Sequence, residues 1–135
     1  MLMGVALPTI SIPKLSPIAA FSVARPSDAQ QRVNTYVLYL DASSNINMLY
    51  TDTSSGSPVW KSLQPAALKG VDPNTSIACL TLATTRSNAA QSEQLLEPAS
   101  GSANRCYFQR SGRVVEAQLD GDRGCWTITG NVTIP

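Results

Sequence analysis

Two compact apolar runs divide the chain, one at residues 17–24 and the other at 76–84. Both are rich in Ile, Val, Leu and Thr, and a run of this length and composition is typical of a β-strand buried on both faces. Segments in which apolar and polar residues alternate follow each run, and a period of two indicates a strand with one buried face. The pattern predicts three further strands after each run: 35–41, 45–51 and 58–63 in the first half, and 105–109, 113–119 and 124–134 in the second.

The two halves repeat each other. The segment SPIAAFSVA at 16–24 matches TSIACLTLA at 75–83, and VLYLDASSNINMLY at 37–50 matches RCYFQRSGRVVEAQ at 105–118. This alignment pairs Val37 with Arg105, Tyr39 with Tyr107, Met48 with Glu116 and Trp60 with Trp126. The second half also carries an insertion rich in Ser, Ala and Asn at 84–104, which is expected to be a loop with at most a short helical turn at 92–97.

Tandem units of four antiparallel strands are the signature of β-propeller blades. The sequence therefore predicts an all-β protein in which residues 1–135 form a single domain, with an outer strand at 5–13, blade one at 14–72 and blade two at 73–135. Nine prolines and eight glycines, spread along the chain, argue against long helices. Two blades cannot close a ring, so a propeller needs either oligomerisation or a longer chain of which this is a fragment.

Composition excludes several classes of function. The formal net charge is +1 and only 14% of residues are charged, so nucleic-acid binding is not expected. The chain has no histidine, which removes the commonest general base and metal ligand. No apolar run reaches ~18 residues, and membrane insertion is not expected. The start lacks the positive region of a signal peptide, so the expected location is cytoplasmic, or outside the cell by a route without a recognisable signal peptide.

Three cysteines, Cys79, Cys106 and Cys125, lack the spacing of a metal site, and neither a metal nor a cofactor is expected. Reduced, buried thiols are the favoured interpretation, while a Cys79–Cys106 disulfide remains open.

The segment 105–126 concentrates the candidate chemistry. Arg105 and Tyr107 share one face of their strand, as do Val114 and Glu116 on the next. A hairpin turning at the Arg-Ser-Gly segment 110–112 is expected to place Tyr107 opposite Val114 and Arg105 opposite Glu116. The two charged groups then form either an ordinary surface ion pair or one half of a binding site that offers donors beside a carboxylate acceptor.

The same segment resembles a blade of the fungal fucose-specific lectins, which are six-bladed β-propellers. The resemblance is carried by Arg105, Tyr107-Phe108, Gly112, Val114, Glu116, Asp120-Gly121 and Gly124-Cys125-Trp126. It implies a carbohydrate-binding lectin that recognises L-fucose or fucosylated glycans at a pocket between adjacent blades. Arg105 and Glu116 would bind the sugar hydroxyls, and Trp60 and Trp126 would each cover the sugar of a neighbouring blade. It also implies a homo-oligomer, with a trimer favoured, in which Trp60 comes from the next subunit.

The first unit departs from this pattern, because Val37 and Met48 stand where the second has Arg105 and Glu116. Its pocket is expected to be inactive, and both tryptophans suit a structural role between blades as well as sugar stacking. An alternative is therefore a propeller-type interaction or structural module that has lost sugar binding. Catalytic residues are not expected, because Glu116 lacks an obvious second carboxylate for glycoside hydrolysis.

Overall fold

The computed structural model describes residues 9–24, 33–52, 59–81, 84–88, 93–97, 104–120 and 125–132. In chain order its strands are β1 (Ile18–Ala24), β2 (Val33–Leu40), β3 (Ile46–Asp52), β4 (Val59–Leu63), β5 (Ala78–Thr81), β6 (Thr84–Asn88), β7 (Glu93–Glu97), β8 (Asn104–Arg110), β9 (Arg113–Asp120) and β10 (Cys125–Val132). Strands β1-β2-β3-β4 form sheet one and β5-β8-β9-β10 form sheet two, each fully antiparallel. The all-β class and the pair of four-stranded sheets are thus confirmed.

The insertion differs from its expectation of a helical turn at 92–97, because residues 93–97 form a strand and residue 92 lies outside the described part of the chain. Strand β7 pairs with β6 in an antiparallel hairpin between β5 and β8. Six residues are too few for a stable isolated helix, whereas pairing with β6 supplies partners for the backbone groups. Residues 9–13 of the expected outer strand carry no strand, and residues 5–8 lie outside the described part of the chain. Within the described part, no helix is long and apolar enough to cross a membrane.

One apolar core fills the space between the sheets. From sheet one it takes Phe21, Val23, Tyr36, Leu38, Leu40, Ile46 and Met48, and from sheet two Cys106, Phe108, Val115, Ala117, Leu119 and Trp126. Phe21 stacks on Tyr36 with ring centroids 5.1 Å apart and meets Trp126 edge-on at 6.2 Å. The buried Trp126 also donates its indole N–H to Met48 Sδ at 3.3 Å. Trp126 therefore ties sheet two to both an edge strand and an inner strand of sheet one.

A hydroxyl just before the first strand of each sheet makes the same bond in both repeats. Ser16 Oγ accepts the Leu40 N–H at 3.1 Å, and Thr75 Oγ1 accepts the Gln109 N–H at 2.6 Å. Leu40 and Gln109 are therefore equivalent positions. Leu40 points into the core between the sheets, whereas Gln109 is exposed and alternates with the buried Phe108. The two sheets consequently meet through opposite faces, in a head-to-tail stack.

This equivalence corrects the repeat alignment within β2 and β8. With Leu40 matched to Gln109, Tyr107 corresponds to Leu38, not to Tyr39, and Arg105 corresponds to Tyr36, not to Val37. The shift arises in the turns. Five residues separate the paired Leu40 and Ile46, whereas four separate the equivalent Gln109 and Val114. The alignment within β3 and β9, including Met48 with Glu116, agrees with the structure.

A disulfide joins Cys79 of β5 to Cys106 of β8. The two residues lie directly opposite each other in the ladder, with Cα atoms 4.1 Å apart. The favoured interpretation of reduced thiols is therefore wrong for this pair, because cross-strand pairing brings the two sulfur atoms within bonding distance. Cys125 is exposed and lies outside this bond.

We expect the double variant Cys79→Ser/Cys106→Ser to lose ~2–4 kcal/mol of unfolding free energy, the usual effect of removing a native disulfide. Thermal or urea unfolding of this variant and of the wild type measures the difference. Cys125→Ser is the matched control and should leave the midpoint nearly unchanged. Labelling of all three cysteines in denatured protein that has never met a reductant would contradict the bond.

Candidate active surface on sheet two

The face of sheet two that points away from the core carries the candidate residues. Arg105 and Tyr107 lie on β8 and Glu116 lies on β9, each half-buried between fully buried neighbours. Tyr107 is directly opposite Glu116, and Arg105 is opposite Gln118. The expected pairing of Arg105 with Glu116 and of Tyr107 with Val114 is therefore wrong by two residues.

The turn between β8 and β9 explains this shift. It is centred on Ser111 and Gly112, whose φ angles of 52° and 70° suit a two-residue turn in which both central residues have positive φ. The Asp72 carboxylate accepts the N–H of both residues, at 2.7 and 2.9 Å, and fixes the turn there. Moving the centre of a hairpin by one residue moves every cross-strand partner by two.

Glu116 is bound by donors from three directions. Its Oε2 accepts the Tyr107 hydroxyl at 2.8 Å and lies 3.5 Å from Arg105 Nη1. Its Oε1 accepts the hydroxyl of Thr129, on β10, at 2.6 Å. The diagonal position of Arg105 still allows the ion pair, because a long side chain reaches across one ladder step. We call Arg105, Tyr107, Glu116 and Thr129 the carboxylate cluster.

These contacts shift two pKa values in opposite directions. The hydrogen bond from Thr129, then that from Tyr107, lowers the pKa of Glu116; burial opposes them, and the charge of Arg105 adds a lowering smaller than the effect of burial. Donation to Glu116, followed by burial and the negative charge, raises the pKa of Tyr107. The cluster is thus built around an ionised carboxylate and a protonated phenol.

Arg105 keeps hydrogen-bonding capacity beyond the ion pair. Its side chain is 40% exposed, compared with 23% for Glu116. Its buried Nε has no hydrogen-bond acceptor among the residues that the structure describes. A guanidinium carries five N–H donors, so a polar ligand resting on this face would meet donors beside a carboxylate oxygen.

Neither tryptophan lies on this face. Trp126 points into the core between the sheets, where it contacts Met48. Trp60 is half-buried on β4 opposite Thr51, on the side of sheet one that faces away from this core. Of the four residues expected to bind sugar, Arg105 and Glu116 lie together on sheet two, Trp126 lies against Met48 of the neighbouring sheet, and Trp60 lies on the far side of sheet one.

The equivalent face of sheet one is entirely apolar at the matching positions. Tyr36, Leu38 and Met48 stand where sheet two has Arg105, Tyr107 and Glu116, and all three are buried in the core. Tyr36 also stacks against Tyr50 at 6.1 Å. At these three positions the seam between the sheets therefore presents no charged group, and the inactivity or alteration of the first unit's pocket stays a prediction.

The residues expected to bind sugar included neither Tyr107 nor Thr129. The available signal for Thr129 was the Trp-Thr-Ile-Thr alternation at 126–129, which places both threonines on the face opposite Trp126. Among the described residues, no group of three or more His, Cys, Asp or Glu side chains is arranged to hold a metal ion.

Comparison with known proteins adds no relative. The chain has no significant match to a protein-family model, to a curated protein or to a solved structure.

Trp126→Ala should lower the unfolding free energy by ~3–5 kcal/mol, because it leaves a large cavity between the sheets. Trp60→Ala, at a half-buried position, should cost much less. Urea denaturation of the two variants separates a structural tryptophan from an accessible one. Equal losses would contradict the burial difference described above.

The stability contribution of Glu116 should depend on pH. Because its folded pKa lies below its ordinary value of 4.5, the contribution is complete above that value and is lost as the pH falls through the folded pKa. Glu116→Gln should therefore be less stable than the wild type at neutral pH, and the gap should close in acid. Urea midpoints of both proteins across this range measure the gap, and a gap that widens in acid would contradict the ionised carboxylate.

Proposed function

We propose that this chain is a carbohydrate-binding lectin that recognises L-fucose or fucosylated glycans through the carboxylate cluster. The carrying observation is the Arg105–Glu116 pair, which lies half-buried on the face of sheet two that points away from the core. Adjacent sugar hydroxyls each donate and accept a hydrogen bond, and a guanidinium beside a carboxylate satisfies both. The opposite charges favour a neutral ligand over an ionic one. The specific choice of fucose rests on the resemblance of residues 105–126 to the fungal lectins.

We further propose that the two sheets are blades of a six-bladed β-propeller. Support comes from the head-to-tail stack, since blades related by rotation meet through opposite faces. Here the equivalent residues Leu40 and Gln109 lie on the covered face of sheet one and on the outward face of sheet two. The ring would close by association of copies, with a trimer favoured, or within a longer chain. In either arrangement the carboxylate cluster would face the following blade. In the trimer that blade belongs to a neighbouring copy, and its Trp60 is the proposed aromatic wall of the sugar site.

A second candidate is an interaction or structural module without sugar binding. One observation favours it: apolar side chains pack in the seam between the two sheets, where Trp126 contacts Met48 and no charged residue occupies the position equivalent to Arg105. A seam packed in this way lacks the charged donor and acceptor groups that would bind sugar hydroxyls. The proposal of a lectin rests on the carboxylate cluster alone.

Calorimetric titration with L-fucose tests the lectin. The wild type should bind with a Kd of ~0.1–1 mM, as is usual for a small polar ligand, and Arg105→Ala should lose at least about tenfold in affinity. Arg113→Ala is the matched control, because Arg113 is an exposed arginine on the same hairpin, and it should bind like the wild type.

Four measurements separate the alternatives. D-glucose should give no heat with the wild type. Absence of any response of the folded wild type to L-fucose and to a fucosylated oligosaccharide would favour the interaction module. Hydrolysis of a fluorogenic fucoside would overturn the expectation that the chain is not an enzyme, and the mass of the protein in solution reports the oligomeric state.

A further inference from the structure

The ladder between β9 and β10 contains a β-bulge beside Glu116. Ile128 pairs with Ala117, and Gly130 pairs with Glu116, so Thr129 is an extra residue with no partner of its own in β9. Thr129 alternates with Ile128, which packs against the core, and so lies on the same outward face as Thr127 and Glu116. The bulge therefore lies at the position of the carboxylate cluster.

The Thr129 hydroxyl contacts Glu116 from the neighbouring strand β10. It donates to Oε1 at 2.6 Å, and it also lies 3.5 Å from the main-chain oxygen of Glu116. Tyr107 donates to the other carboxylate oxygen from the opposite neighbouring strand. With one donor on each side, the carboxylate plane cannot turn without losing a hydrogen bond.

We propose that Thr129 is a positioning residue for the sugar-binding surface: acting through Glu116, it fixes the orientation of the carboxylate and sets the lowest pH at which the surface can bind. The second half of this statement rests on the proposed lectin function. The first half concerns the unliganded protein and stands without it.

The chemistry of the hydroxyl supports a role through Glu116 more than direct recognition. A threonine hydroxyl has one hydrogen to donate, and Thr129 gives it to Oε1. Such a bond favours the charged form of the acid. The carboxylate therefore stays ionised as the pH falls below the range of an ordinary glutamate, and its remaining lone pairs stay available to sugar hydroxyls.

Three variants on one strand test the proposal in the unliganded protein. Thr129→Val removes the hydroxyl and keeps the shape, Thr129→Ser keeps the hydroxyl, and Thr127→Val makes the same change at an exposed threonine opposite Gln118. Carboxyl NMR can follow the titration of Glu116 because the chain has only three glutamates, and Glu116→Gln assigns the signal.

We expect the Glu116 titration midpoint to rise in Thr129→Val and to remain near the wild-type value in Thr129→Ser and Thr127→Val. Equal midpoints in Thr129→Val and the wild type would overturn the proposal, whatever the sugar result. A rise of the same size in Thr127→Val would also overturn it, because the effect would then be a general one of strand substitution.

The second readout is L-fucose affinity against pH. Thr129→Val should bind about tenfold more weakly at neutral pH, the effect of one lost hydrogen bond to a charged group, and its binding should fail at a higher pH than in the wild type. Thr129→Ser should restore both. If the wild type binds no fucose at any pH, the lectin proposal and the binding half of this one fail together, while the NMR titration still decides whether Thr129 acts on Glu116.

Discussion

A four-stranded sheet has two faces, and no sheet of this size can bury both of them by itself. In this protein, sheet two covers one face of sheet one, and Trp126 contacts both Phe21 and Met48 across that interface. Because the stack is head-to-tail, the equivalent face of sheet two points away from sheet one, and this face carries the carboxylate cluster. The position of the only polar cluster described on that face thus follows from how the core is formed.

The connection between the sheets, residues 64–77, holds both hairpin turns in place. At the first turn, the Asp41 carboxylate accepts the N–H of Ser43 and Asn45, and Gln64 reaches back to it from the connection. Burial raises the pKa of Asp41, but these hydrogen bonds together lower it. At the second turn Asp72, within the connection, plays the corresponding part. The same segment therefore fixes the register of both hairpins, and with it the residues that face outward.

Much of this fold could be predicted because period-two patterning and turn residues are local signals. All eight strands of the two sheets were expected close to their observed positions. The relation of Tyr39 to Tyr107 was wrong because a match of residue type does not reveal an extra residue in a turn. The predicted partner of Glu116 was wrong because hairpin register depends on which turn residues adopt positive φ, and the turn was placed one residue too early. Thr129 was missed because its contact depends on the register of β10 against β9, and the disulfide was left open because only the pairing of β5 with β8 brings the two cysteines together.

The unequal turns have a consequence for how the two halves diverged. In a strand, inserting or deleting one residue at a hairpin tip exchanges the inward and outward sets of side chains along the whole arm. The five-residue turn between Leu40 and Ile46 thus determines which of the two alternating sets of β2 side chains packs into the core. A duplicated unit could in this way trade a polar surface for a packing surface through a single length change, with substitutions refining the result afterwards. Comparing such units by ungapped alignment would assign buried residues to exposed positions, and hairpin length must therefore be settled before residue roles are transferred between them.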